Sequence, residues 1–373
     1  MNATELQEYR RKHVPVYNAN KMKLGIFGQN CSNGCTITHA ETTFKPTYKH
    51  NVEISQKADN LGFELLVPVG RWRGFGGTTD FNGDCMETYT WATAMATQTK
   101  NIMLFSTSHV PTMHPIVAAK QGSTIDNISE GRWGLNIVCG WFTPEMEMFG
   151  APQMPHDERY RHASEWIQVI KRLWSEQHFD HHGEFFHIKD GYMLPKPVQK
   201  PYPVLINAGF SPAGKDFSAR EVDFNFIAID TLEHGKETIT EVKGLARKDY
   251  KRDIGMMSYG LVVCRDTEKE ARQMYDYIVE KGDWEATRGI IRLLGIESGS
   301  FSEEHLTKYA EHFIAGWGGY PMVGTPEQVT DELVKLSHIG LEGMILCWLD
   351  YNEEIKYFGE RVIPLMRQAG LRQ

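Results

Sequence analysis

The sequence has no long apolar run, no excess of basic charge and few cysteines, and each shortage closes off a class of protein. No stretch reaches the roughly 18 consecutive apolar residues that a membrane helix needs, so no spanning helix is expected. The first twenty residues lack the apolar segment of a secretory signal and read as a polar extension over residues 1–22. A cytoplasmic protein is the expectation. Net charge is −8 and no basic tract stands out, so nucleic acid is not an expected partner. Six cysteines in 373 residues do not make a disulfide scaffold. Cys31 and Cys35 form a C-x-x-x-C pair whose spacing fits no common zinc pattern, and free, reduced thiols are the reading. There is also no G-x-S-x-G and no phosphate-loop motif, which leaves hydrolase and kinase chemistry without support.

What the chain does have is alternation. Short apolar runs at 23–28, 63–69, 102–108, 132–138, 203–209, 223–229, 256–264 and 342–348 are each followed by an amphipathic stretch. Strands that are apolar throughout are buried on both faces, as in a parallel sheet covered by helices. Eight strand–helix units predict an α/β fold, a (β/α)8 TIM barrel over residues 23–373 with insertions in its βα loops. A doubly wound open sheet is the rival, and the lack of a G-x-G-x-x-G after the first strand weakens it. Ser211-Pro212 and Thr325-Pro326-Glu327 read as helix starts, and Gly131 as a helix stop. Insertions are expected at 29–47, 70–85, 178–202 and 284–322, the third as a hairpin of "FDHHGEFFHI" and "YMLPKP".

In such a barrel the chemistry sits where strands end. The third strand ends in Ser106, Thr107, Ser108 and His109, and the fourth carries Asn136 with Glu145 in the loop beyond it. The second ends at "RWRGFGG", with Arg71 and Arg73 suited to an anionic or carbonyl group. The fifth ends in "NAGFSPAG", where a helix start and the Ser211 hydroxyl can cradle a phosphate without a cation. Each pattern has a plain alternative. Thr107 and Asn136 read equally well as buried polar groups bonded to backbone, and "SPAG" as a simple capped helix. The histidine-rich stretches "HDERYRH" and "FDHHGEFFH" lack metal-ligand spacing, so no metal is expected. Trp72, Phe75, Trp141 and Phe142 are expected as flat walls at the mouth, suited to a planar ring.

The stretch "STIDNISEGRWGLNIVCGW" resembles the signature of the bacterial-luciferase-like flavin monooxygenases, and the resemblance runs from "KLGIF" to "YFGERVIPLM". "RWRGFGGTTDF" and "GWFTPE" are similar to the pyrimidine-ring-opening branch; "NIVCGWF", "HDERYRHASEW" and "NEEIKYFGERVIPL" are similar to the dimethylsulfone and alkanesulfonate branch. The resemblance implies a two-component enzyme that uses reduced FMN from a separate NAD(P)H:flavin reductase. With O2 it would form a flavin (hydro)peroxide and cleave a carbon–heteroatom bond in a small organic substrate. It implies a homo-oligomer, dimer or tetramer, and a mobile lid at 284–322. Thr107 and Asn136 match a polar pair beside the flavin's reactive edge, and Val67 an apolar residue at the oxygen site. Glu145 matches a carboxylate near substrate. Arg71 stands where the pyrimidine branch has lysine, a planar fork in place of a point charge. Ala208, Gly209 and Ser211 match the phosphate-binding turn, with Tyr160 and Arg161 closing over it. The implied catalytic set is therefore Thr107, Asn136, Glu145 and Arg71. A deazaflavin (F420)-dependent hydride transfer on the same barrel is the alternative, and a flavin-binding protein without turnover is a third.

Overall fold

In the computed structural model, which describes residues 1–151, 153–294 and 303–373, each apolar run becomes a strand and each amphipathic stretch a helix. The order is α1 (Ala3–His13), β1 (Lys23–Phe27), α2 (Tyr48–Asn60), β2 (Leu65–Val67), α3 (Thr88–Gln98), β3 (Met103–His109), α4 (Pro115–Ile128), β4 (Trp133–Val138), α5 (Thr143–Met148), α6 (His156–Ser175), β5 (Phe179–His182), β6 (His187–Gly191), β7 (Val204–Asn207) and α7 (Pro212–Glu221). Then follow β8 (Phe224–Ile227), α8 (Leu232–Tyr250), β9 (Gly255–Cys264), α9 (Glu268–Glu280), α10 (Trp284–Leu293), α11 (Glu303–Gly316), β10 (Met322–Gly324), α12 (Pro326–His338), β11 (Gly343–Cys347), α13 (Tyr351–Arg361) and α14 (Ile363–Gln368).

The chain divides into two compact units. The first holds Met1–Asn18, Glu87–Phe226 and Glu241–Gly255. Its strands β3, β4, β7 and β8 pair in parallel, in chain order. The second holds Ala19–Met86, Ile227–Thr240 and Met256–Gln373. There β9 pairs with β11, β11 with β1 and β1 with β2, all in parallel. The last strand thus lies beside the first, which is the pairing a barrel requires, and neither unit reverses its strand order as a doubly wound sheet does. The eight strands that alternate with helices, β1, β2, β3, β4, β7, β8, β9 and β11, are those of a (β/α)8 barrel.

Burial explains why these runs are strands. Every residue of β3, β7, β8 and β11 is buried, as strands covered on both faces must be. The helices start where expected. Ser211 caps α7 by accepting from Gly214 N, and Thr325 and Gln328 form a reciprocal capping box on α12.

Four features depart from expectation. The N-terminal extension is a helix held to the first unit. Asn2 and Glu5 cap α1 reciprocally, and Arg10 Nη1 meets Asp223 Oδ1 at 2.8 Å. The hairpin's second arm is His187–Gly191 rather than the "YMLPKP" stretch beyond it. A short strand, β10, pairs in parallel with β9. The final helix breaks at Val362, where Pro364 removes a backbone donor and restarts it as α14. Of the expected lid at 284–322, residues 295–302 lie outside the described residues; α10 and α11 flank them. In the second unit Ile290 and Phe313 from those helices pack with Ile37 and Phe81 in one apolar cluster.

Candidate active site

The first unit gathers most of the residues singled out from sequence. Parallel register sets Thr107 of β3 beside Asn136 of β4, so both side chains leave the same face. Asn136 Nδ2 donates to Thr107 Oγ1 at 3.1 Å. The two residues are 8% and 5% exposed. Asn136 Oδ1 has no hydrogen-bond partner among the described residues. A buried acceptor left in that state costs about 1–3 kcal/mol, so it marks a place for a donor brought by a ligand. The strand beneath is fixed by α3, whose Thr88 Oγ1 donates to the Thr107 carbonyl at 2.8 Å. Ser106, on the other face, has a structural role: it donates to Thr88 O and accepts from Trp133 Nε1.

His109 lies two residues beyond Thr107 and therefore on the same face. Its Nδ1 stands 3.3 Å from Glu145 Oε2, and both side chains are buried. Glu145 comes from α5, a short helix where the sequence predicts a loop. The bend leading to it is made at Gly140, whose φ of +81° suits glycine. Gln153 Nε2 and Arg159 Nη1 clamp the Gly140 carbonyl at 2.9 and 2.7 Å. Trp141 and Phe142 follow with ring centroids 5.8 Å apart. Burial pushes the Cys139 thiol up to about 12, against the pull of Arg159, so it stays protonated and acts as a small apolar group.

The β7–α7 turn is built by close approach. A Cβ on Gly209 would lie 2.7 Å from Gly214 Cα, and one on Gly214 would lie 2.7 Å from Tyr160 Oη. Only hydrogen fits at either position. Asn207 holds the turn: its Oδ1 accepts from Gly209 N and from Ser218 Oγ, both at 2.8 Å. Asn225, its register partner on β8, donates to Asn207 O at 2.9 Å and to Ser218 Oγ at 3.0 Å. The result is a rigid loop with Ser211 and the start of α7 at its rim and Tyr160 over it. Burial, with Cys139 nearby, holds the Tyr160 phenol above its ordinary range against a hydrogen bond with Ser211. It remains a neutral hydroxyl. Ala208 and Phe210 are exposed. Arg161, the neighbour of Tyr160 on α6, pairs with Glu184 at 3.0 Å and leaves 60% of its side chain in solvent. The structure does not bring it onto this turn.

The remaining residues belong to the second unit. Val67 ends β2 and is buried. The Arg71 guanidinium is buried and lies 4.4 Å from the centroid of the Phe75 ring. Phe75 packs on Phe81 and Trp317, whereas Trp72 is exposed. Among the described residues no group of three His, Cys, Asp or Glu side chains could hold a metal ion. Sequence reasoning missed the pairing of His109 with Glu145 and the Asn207–Ser218–Asn225 network. The one advance signal for His109 was its place two residues after Thr107.

The family model described as luciferase-like monooxygenase matches residues 22–343. The chain is 30% identical over 359 residues to the FMNH2-dependent dimethylsulfone monooxygenase of Pseudomonas putida, covering 93% of this chain and 96% of that protein. It is 30% identical to the pyrimidine monooxygenase RutA of Acinetobacter baylyi, covering 92% and 95%. Among solved structures, the long-chain alkane monooxygenase LadA superposes with a TM-score of 0.86 at 22% identity, over 95% of this chain and 93% of that one. That likeness shows the fold.

Proposed function

The chain belongs to the luciferase-like monooxygenase family, and from that premise we propose that it uses reduced FMN, delivered by a separate flavin reductase, and O2 to oxygenate a small organic substrate at a carbon–heteroatom bond. Two relatives of equal identity act, by their names, on a sulfone and on a pyrimidine, so sulfones, sulfonates and cyclic amides form the substrate classes to test. The observation that carries the reading is the buried, uncharged Thr107–Asn136 pair with its partnerless amide oxygen.

The residues fit the cofactor. The turn at Gly209 and Gly214 leaves a cradle that any Cβ would fill. Ser211, the first turn of α7 and the Tyr160 hydroxyl supply neutral donors for a phosphate. Asn136 Oδ1 can accept from a ring N–H. Reduced FMN, when bound there, supplies the electrons that activate O2. Thr107 and Asn136 orient by hydrogen bonds and carry no charge, so they do not deliver a proton prematurely. Glu145 is buried against His109 and can accept a hydrogen bond from substrate or exchange a proton with it. Arg71, buried over Phe75 in its own unit, suits a carbonyl, sulfonyl or carboxylate oxygen.

The test is a product screen under 18O2 with FMN, NADH and a generic flavin reductase. The panel holds uracil, other cyclic amides, dimethylsulfone, short alkanesulfonates and a cyclic ketone. A labelled product supports the reading and names the branch. Reduction of a carbonyl by a reduced deazaflavin, with no label incorporated under any condition, sinks it in favour of hydride transfer.

A further inference from the structure

Five of the six cysteines lie in the second unit, four of them around the ends of β1 and β11, and the oxygenase reading uses none of these. The C-x-x-x-C spacing suggested Cys35 as the neighbour of Cys31. The fold pairs them otherwise. Cys35 Sγ lies 3.6 Å from Phe27 O and 3.7 Å from the Tyr351 hydroxyl. Cys31 forms an isolated antiparallel bridge with Cys85, fifty-four positions on. The flanking bonds, Ser32 N to Asp84 O at 2.7 Å and Met86 N to Asn30 O at 3.1 Å, make this the non-hydrogen-bonded kind of pair. In that kind the Cα atoms stand about 4.5 Å apart with side chains on one face. This falls inside the roughly 4.4–6.8 Å that a disulfide spans.

We propose that Cys31 and Cys85 are a peroxide-responsive dithiol, closing into a disulfide that staples the segment carrying Arg71 to the end of β1. Cys85 is the half-exposed member and the one that meets the oxidant. Asn30 Nδ2 donates to its sulfur at 3.3 Å and fixes its position. Cys31 is fully buried, and that burial holds its thiol well above the ordinary range despite the pull of Arg71. Shielded from solvent oxidant and on the same face as Cys85, it serves as the resolving thiol. The Cys85 sulfur attacks hydrogen peroxide, becoming a sulfenic acid as the peroxide leaves as water. The Cys31 sulfur then displaces the hydroxyl, its proton leaving in a second water. Two thiols and one peroxide give one disulfide and two waters. Peroxide is what a reduced flavin and O2 release when no substrate is oxygenated, so the oxidant's source rests on the proposed function. The dithiol chemistry does not.

The test uses the full chain as purified, treated with hydrogen peroxide alone, then alkylated and mapped by mass spectrometry. The expected result is a loss of about 2 Da for the pair of hydrogens removed, two of the six thiols closed to alkylation, and one peptide link joining Cys31 to Cys85. Dithiothreitol reverses it. Cys85→Ser, at a half-exposed position, abolishes the link. The proposal is overturned if every thiol stays alkylatable, if the link joins Cys35 to Cys347, or if Cys85 proceeds to sulfinic acid with Cys31 still free. No flavin is present, so a failed product screen leaves this outcome independent.

Discussion

Gly214→Ala offers the sharpest probe of the cradle, because it adds one carbon at a place where the structure leaves no room. The new Cβ would lie 2.7 Å from Tyr160 Oη and 2.8 Å from Gly209 Cα. Either the phenol or the turn must move. Overpacking of this kind costs about 1–3 kcal/mol. Gly214 sits in the first turn of α7, so alanine also returns up to about 1 kcal/mol of helix propensity. The net loss of stability is then small, roughly 0–2 kcal/mol, and the variant should fold. Phosphate binding has no such compensation. Losing one hydrogen bond to a charged group costs about 1.5–3 kcal/mol, or about tenfold to a hundredfold in Kd.

The assay is equilibrium binding of FMN and of riboflavin, which lacks the phosphate. FMN should weaken by that factor while riboflavin holds within about twofold, the few tenths of a kcal/mol typical of an untouched contact. Equal loss of both ligands, or unchanged FMN binding, would refute the assignment of this turn to phosphate. Tyr160→Phe supplies the cross-check. Removing Oη relieves the 2.7 Å contact but also removes a phosphate donor, so the double variant should lose less FMN affinity than the two single losses added. A coupling of about 0.5–3 kcal/mol between the two sites is expected. Strict additivity would mean that Tyr160 does not close the cradle.

Three further outcomes follow from the same geometry. Thr107→Val keeps the volume but removes the acceptor for Asn136 Nδ2; product formed per reduced flavin should fall about tenfold, the worth of one buried hydrogen bond, with the electrons recovered as peroxide in a product-to-peroxide ratio. Arg161→Ala should leave FMN affinity within about twofold, because its partner is the exposed Glu184 and surface pairs contribute little; a larger loss in a titration would return Arg161 to the cofactor. His162 packs against Phe185 and Phe186 in the β5–β6 turn, and burial lowers its pKa against the upward pull of Glu165 and Glu158. A lowered folded pKa gives stability that is present above pH 6.5 and lost as pH falls through the folded value; melting of His162→Gln should show less of that acid sensitivity than the parent, and equal sensitivity would exclude His162 as its source.

The barrel was legible because period and burial agree in its strands. Runs such as "IMLFSTS" and "RWGLNIV" are apolar on both faces, and only a covered parallel sheet accommodates eight of them in one chain. Short elements were illegible for the same reason. β10 has three residues and α5 six, too few for either periodicity to show, and tertiary contacts decide them. The strand-end residues were legible as positions and not as partners. Sequence could place Thr107 and Asn136 at the ends of neighbouring strands, but their hydrogen bond depends on a register that one residue of slip would destroy.

Arg161 shows where a transferred role parts from physics. Tyr160 and Arg161 are adjacent on α6, and adjacent helical residues point about 100° apart. Once the Tyr160 hydroxyl is over the Gly214 backbone, its neighbour is turned away and finds Glu184 in the hairpin region. A helix could not deliver both side chains to one small turn without a long reach from the second. The same reasoning favours His109 over its neighbours: Thr107 and His109 differ by two positions on a strand and must share a face, whereas Ser106 and Ser108 must take the other. Ser106 does so, bonding to Thr88 O and the Trp133 indole. Half of "STSH" is therefore committed to packing by the pleat alone, and the half left facing the carboxylate of Glu145 is the half with chemistry to offer.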